Sequence, residues 1–326
     1  MKKIIGIGNV LVDILVKIEN DTVLDMFGLP KGTMHWLDQE SFTSMSSYLN
    51  DSNAGKATGG SAGNTVLALA NLGMRPALIG KAGSDDNGDF FIKSLSDKGV
   101  DMRIVSSHLP TGTACALISP DGERTFGNFM GAAATLQAEE VPADMLSGYD
   151  SLYVEGYLVQ NKSLVRSVVE LAKKAGMQVC LDLASYNVVQ DNRDFFYELL
   201  RDYVDVVFAN ADEARALTGK EPEEALKVIS ELCDITVVKT GAAGSLVAMD
   251  GRIFAVPAER VHEVVDTTGA GDYYAAGFLY GISHNFGPER SAKIGSVLAG
   301  YVIQSIGATL SEKVWEEIKQ IIKTVN

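Results

Sequence analysis

The chain has 326 residues, 46% of them hydrophobic and 21% charged, which is ample for a substantial core in one large or two smaller domains. A formal net charge of −14 argues against nucleic acid or an anionic membrane surface as a partner. Cys115, Cys180 and Cys233 are odd in number and far apart. They point to buried thiols in a reducing compartment, and away from a disulfide framework or a zinc site.

Lys3 to Ile7 is a short apolar run ending in glycine, a buried strand by pattern. Gly6, Gly8, Asn9 and Asp13 interrupt "MKKIIGIGNVLVDILV", so it is not read as a signal peptide. No stretch is apolar for long enough to span a bilayer, and a cytoplasmic protein is expected. "SAGNTVLALANL" has helical spacing and Gly73 stops it; "PALIG" is strand-like and "DFFIKSLSDKG" helical. Further on, helix "LVRSVVELAKKAG" leads to strand "MQVCLDL". Strand "YVDVVFAN" leads to the helical "ADEARALTG" and "EPEEALKVISEL", and these to strand "ITVVKTG". The last third, from "AAGFLYGISH" to "SEKVWEEIKQIIKTV", is helical. Strands alternating with helices predict a mostly parallel sheet covered on both faces. Two segments, about 11–42 and 101–136, break the alternation, and Asp121-Gly122 marks a hairpin in the second. They are expected to form a small β-rich lid on an α/β body that spans 1–326.

"VVDTTGAGDYYAAGF" (264–278) concentrates the chemistry. A helix N-terminus leaves backbone N–H groups free at the positive end of its dipole, and Gly269, Ala270 and Gly271 let an anion approach them. Asp272 would repel that anion. A carboxylate there makes sense as a general base taking a proton from a hydroxyl that attacks a phosphoryl group. Asp13, between apolar neighbours, needs a partner such as two vicinal hydroxyls, and Asn9 ends the strand before it. Asn64 points an amide from the first turn of its helix towards whatever lies against "GGSAG". Arg124 on the lid hairpin is a candidate catalytic residue, with a solvated surface arginine as the alternative. Asn210 and Glu213 in "NADE", and Lys239, Thr240, Gly241 and Gly244 after "ITVV", follow strands, where ligands gather in such sheets.

Three other readings fit less well. "GIGNVL" begins like a dinucleotide fingerprint but lacks the third glycine. "GGSAG" matches a nucleophile elbow at Ser61, with Asp266 and His284 as imaginable partners, but follows polar residues. A non-catalytic nucleoside-binding protein would also need a polar strand-end site.

Taken together, the chain resembles the PfkB, or ribokinase-like, family of sugar and nucleoside kinases. "GGSAGNTVLALANLG" and "VVDTTGAGDYYAAGF" resemble its two signatures, with "NADE" and "VVKTGAAGS" between them in the expected order. The resemblance implies ATP and Mg2+, and a small ribosyl acceptor in a monomer or homodimer. It implies Asp272 as base and Gly269, Ala270 and Gly271 as the anion hole. It implies Asp13, Gly60 and Asn64 against sugar hydroxyls, and Asn210 and Glu213 organising magnesium and phosphate. Thr240, Gly241 and Gly244 match the nucleotide loop, and Asp266 and Thr268 a loop that holds a monovalent cation, K+, in many members. Tyr273-Tyr274 and the absence of an asparagine in "GAAATL" depart from the common pattern. "GNVLVDI", "YVEGYLV" and "DTTGAGD" lean towards the adenosine-kinase-like branch, with Tyr157 and Leu158 against a nucleobase. That makes the 5′-hydroxyl of adenosine the first expected acceptor, and ribose or a related sugar the second.

Overall fold

The computed structural model describes residues 2–50 and 54–325. Strand β1 (Ile4–Ile7) runs almost directly into β2 (Leu11–Lys17), with no helix between them. The first half continues through α1 (Thr22–Met26), β3 (Met34–Trp36), α2 (Gln39–Asn50), β4 (Gly55–Gly59), α3 (Ser61–Asn71), β5 (Ala77–Gly83), α4 (Asp86–Ser96), β6 (Asp101–Ser107), β7 (Gly112–Ile118) and β8 (Arg124–Phe129). Short 3₁₀ turns lead to β9 (Ser151–Glu155), α5 (Lys162–Lys174), β10 (Gln178–Asp182), α6 (Tyr186–Asp191), α7 (Arg193–Asp202), β11 (Val206–Asn210), α8 (Ala211–Thr218), α9 (Pro222–Ser230) and β12 (Ile235–Lys239). A hairpin, β13 (Ser245–Met249) and β14 (Arg252–Val256), precedes α10 (Ala270–Ser283), α11 (Pro288–Val302) and α12 (Glu312–Thr324).

The large sheet has the order β14-β13-β12-β11-β10-β9-β1-β5-β6 and is parallel from β12 to β6. Only the hairpin at one edge is antiparallel. Side chains alternate across it, as a pleated strand requires. Ile4, Tyr153, Cys180 and Phe208 face one core with Val66 of α3, Phe278 of α10, Leu298 of α11 and Ile318 of α12. Ile5, Leu152, Val179 and Val207 face the other, with Val168 of α5, Leu199 of α7 and Leu226 of α9. Helices on both faces are what a sheet of continuous apolar strands demands.

The small sheet has the order β3-β8-β7-β2-β4. The expected lid segment 101–136 divides here. Asp101–Ser107 pairs with β5 as an edge strand of the large sheet, and only β7 and β8 enter the small one. β4, within a run that reads as polar, completes the small sheet by antiparallel pairing with β2. An edge strand needs no apolar alternation to pair, which is why its composition concealed it.

Candidate active site

Parallel strands deliver their carboxyl ends to one edge, where a doubly wound sheet binds its ligands. Here that edge carries Asn9 just beyond β1, Glu155 at the end of β9, Asp182 of β10, Asn210 of β11 and Lys239 of β12.

Two helices begin at this edge with the same construction. Gly60 precedes α3 at φ 81°, and Gly269 precedes α10 at φ 76°. Both glycines sit in the left-handed region, and neither offers a capping side chain. A Cβ on Gly60 would strike the carbonyl oxygen of Asn9, and one on Gly269 would lie 2.7 Å from the Ala308 methyl.

At α3 the missing cap comes from across the sheet. Glu155 Oε2 accepts from Ala62 N at 3.0 Å and from Asn9 N at 3.3 Å, while Oε1 accepts from the Asn9 amide at 2.6 Å. Burial pushes the Glu155 carboxyl up to about 7, against the lowering effect of its Ala62 and Asn9 donors. Asn9 is therefore a support of this capping carboxylate. One N–H of its amide goes to Glu155.

At α10 the first turn stays open. The N–H groups of Gly271 and Asp272 find no acceptor among the described residues. Apart from the chain neighbours and the α10 backbone, the one described atom within 4 Å of a Cβ built on Gly271 is the Lys239 ammonium, at 3.1 Å, so no other side chain crowds this turn. Asp272 turns back towards α3. Its Oδ1 accepts from Ser61 Oγ at 2.6 Å and its Oδ2 from Asn64 Nδ2 at 2.9 Å. Burial pushes the Asp272 carboxyl up to about 6 although both donors favour its charged form, and Asp182 adds to the rise. A carboxylate with that affinity for protons can take one from a hydroxyl near neutral pH. Asn64 Oδ1 is buried without a donor.

The small sheet brings Asp13 over this pair. Its carboxylate rests on Gly59, whose Cβ would come within 2.5 Å of it. Among the described residues no side chain donates to Asp13, and burial, with Asp266 and Asp272 nearby, pushes it up to about 6. Arg124, at the start of β8, is no free surface arginine. It donates to Asp266 Oδ2 at 3.2 Å and so ties the small sheet to the loop before Gly269.

That loop is held by protein donors at Asp266. Its Oδ1 already accepts from Thr268 N at 3.0 Å and Thr268 Oγ1 at 2.8 Å, and its Oδ2 from Gly307 N at 2.8 Å as well as from Arg124. Burial would raise its pKa, but the Gly307, Thr268 and Arg124 donors outweigh burial and lower it. Four protein donors thus surround the Asp266 carboxylate in the loop expected to hold a monovalent cation.

"NADE" forms a reciprocal cap at the start of α8. Asn210 Oδ1 accepts from Glu213 N at 2.8 Å, and Glu213 Oε2 accepts from Asn210 N at 2.7 Å. Glu213 is 2% exposed, and burial with Asp182 nearby pushes it up to about 7 against Lys239. Its neighbour across the edge is an ion pair, Lys239 Nζ to Asp182 Oδ2 at 3.0 Å. Thr240 and Gly241–Gly244 make the tight turn into β13, with Thr240 N donating to Gly244 O at 2.8 Å.

Tyr157 and Leu158 part company. Tyr157, 42% exposed, stands on the 3₁₀ turn after β9 at the ligand edge, whereas Leu158, 6% exposed, turns into the core with Leu136, Val141 and Leu164. Leu158 is corrected from a ligand contact to a core residue. Ser61 has Asp272 as its partner. His284 contacts Tyr280 and Phe286, so the imagined hydrolase triad is not assembled. Among the described residues no three His, Cys, Asp or Glu side chains cluster as a metal cage, and no helix is long and apolar enough to cross a membrane.

Sequence reasoning passed over Glu155 and Asp182 and left Lys239 without a role. Each is a charge ending an apolar strand, the same signal that singles out Asp13.

An open helix N-terminus beside a carboxylate of raised pKa, under a small sheet, is the arrangement of a phosphotransferase acting on an alcohol. The chain belongs to the pfkB family of carbohydrate kinases, whose family model matches residues 33–315. It is 29% identical over 284 residues to the 5-dehydro-2-deoxygluconokinase of Bacillus subtilis, covering 82% of this chain and 87% of that protein. A probable sugar kinase from Rhizobium etli superposes with a TM-score of 0.84 at 34% identity, covering 98% of both chains. The adenosine kinase of Sinorhizobium meliloti superposes with a TM-score of 0.84 at 33% identity, covering 100% of this chain and 99% of that one. The protein is a sugar or nucleoside kinase with a ribokinase-like fold.

Proposed function

We propose that the chain transfers the terminal phosphoryl of ATP to the 5′-hydroxyl of adenosine. The observation that carries this reading is Asp272, a carboxylate pushed up to about 6 beside two unpartnered N–H groups at the start of α10. The acceptor hydroxyl replaces Ser61 as donor to Asp272 and gives its proton to that carboxylate. Its oxygen forms a bond to phosphorus as the bond to ADP breaks. The Gly271 and Asp272 N–H groups stabilise charge on the phosphoryl oxygens, a term worth about 3–4 kcal/mol per well-placed donor. Asp13, which lacks a protein donor, accepts from the ribose hydroxyls, and Arg124 holds the small sheet against the loop that presents Gly269.

Magnesium neutralises phosphate charge and usually arrives with the nucleotide, held by few protein ligands. Asn210, exposed at the end of β11, is placed to hold its hydration shell, while Glu213 positions Asn210 through the cap. Thr240, Gly241 and Gly244 border the nucleotide.

Adenosine is favoured over a free sugar by Tyr157, an exposed aromatic at the strand edge whose face a base can cover, a contact of about 1–3 kcal/mol. The likeness to an adenosine kinase along the full chain supports the same acceptor. The Rhizobium etli likeness keeps a sugar as the second reading. ADP release measured across nucleosides and sugars tests the choice. Adenosine should give the highest kcat/KM, and Tyr157→Ala should weaken it. A higher kcat/KM with ribose or a ketose, unchanged in Tyr157→Ala, overturns adenosine.

A further inference from the structure

Lys239 closes β12 beside the first turn of α10. Its ammonium lies 3.1 Å from the Cβ position of Gly271, and apart from the chain neighbours and the α10 backbone itself no other described atom comes within 4 Å of that point. One cation therefore borders the open space over the first turn of α10. An ammonium has three N–H donors. One goes to Asp182 at 3.0 Å, and the other two have no acceptor among the described residues.

The pair is nearly closed to water, with 15% of the Lys239 side chain and 8% of the Asp182 side chain exposed. Burial favours the neutral amine, but Asp182, Glu213 and Asp272 outweigh it and hold the ammonium above its ordinary range. Lys239 stays charged wherever Asp272 is ionised. A buried ion pair about breaks even against an apolar pair of the same shape, so stability alone gives little reason for one here. Two donors without an acceptor among the described residues, beside the open first turn of α10, give a better one.

We infer that Lys239 is a catalytic residue of the phosphoryl transfer, its ammonium binding an oxygen of the phosphoryl group in transit together with the N–H groups of Gly271 and Asp272. The inference rests on the kinase reading. The oxygen of the acceptor bonds to phosphorus, the bond to the ADP oxygen breaks, and the acceptor proton passes to Asp272. Lys239 keeps its own proton throughout and only lends hydrogen bonds. Asp182 holds the ammonium in place until the phosphoryl arrives.

The test uses the full chain as wild type, Lys239→Met, and Lys239→Met with Asp182→Asn. Calorimetry compares binding of Mg-ADP alone with Mg-ADP plus aluminium fluoride, a mimic of the phosphoryl in transit that needs no acceptor turnover. Lys239→Met should bind ADP within about threefold of wild type and lose most of the added tightness from the fluoride, while kcat falls by about 10²–10³-fold. The double variant should regain thermal stability lost by the single one, because no carboxylate is left unpaired, and should remain slow. A double variant that recovers wild-type turnover makes Lys239 a structural partner of Asp182 and overturns the inference. So does a Lys239→Met protein that keeps the fluoride effect, or a wild type that shows none. Turnover with a sugar in place of adenosine sinks only the choice of acceptor, and the test then proceeds with that sugar.

Discussion

α3 and α10 start alike and end up with opposite duties. Each follows a left-handed glycine, each lacks a side-chain cap, and their first turns meet at Asp272. At α3 the chain supplies its own anion, the Glu155 carboxylate on Ala62 N. At α10 the corresponding donors of Gly271 and Asp272 stay empty, with a lysine beside them in place of a carboxylate cap. A glycine-led helix start is thus a site only when the rest of the fold leaves it unstoppered. The stopper comes from β9, more than ninety residues further along the chain, so local sequence cannot tell the two apart.

The contrast can be broken at either helix. The largest effect is expected from Asp272→Asn, which keeps the shape and the Ser61 and Asn64 neighbours but removes the base. Turnover should fall by about 10²–10⁴-fold with acceptor affinity by calorimetry largely kept. Gly271→Val closes the space over α10. A Cβ there meets the flexible end of Lys239, so the protein should fold, while turnover drops by about 10²–10³-fold. Normal activity in this variant would move the anion elsewhere.

Glu155→Ala unstoppers α3. It strands the Asn9 amide and the Asn9 and Ala62 N–H groups, each orphan costing about 1–3 kcal/mol, so the urea midpoint should fall well below that of Asp272→Asn. Equal midpoints would show that Glu155 caps nothing of consequence. Asp13→Ala touches neither helix and sharpens the division of labour. Acceptor binding should weaken by about 1.5–3 kcal/mol, the range for hydrogen bonds to a charged group, with ADP binding unchanged. A loss on the nucleotide side alone would place Asp13 wrongly.

Much of this was legible in the sequence where the signal is local. Strand and helix patterns pointed to the parallel sheet, and "DTTGAGD" to the open turn and the carboxylate beside it. Residues whose role depends on distant partners were not. The bond from the Asn9 amide to Glu155 joins residues far apart in the chain and has no local signal. Leu158 follows Tyr157 in the chain but faces the core, because a 3₁₀ turn sends neighbours to different sides. Arg124 and Gly307, from elements far along the chain, donate to the second oxygen of Asp266, contacts that its own loop does not announce. β4 was hidden because pairing at a sheet edge asks little of side chains.

The pH dependence of the transfer step tests the role of the open helix most directly. Asp272 must be ionised to accept a proton, and burial has raised its pKa to about 6, so acid should protonate it and stop the reaction. The single-turnover rate of a preformed enzyme–ATP–acceptor complex should be level above pH 7. It should then fall towards tenfold per unit, the slope of one proton, as pH drops below about 6. A rate that stays level from pH 8 to about 5 would mean that the proton of the attacking hydroxyl does not go to Asp272.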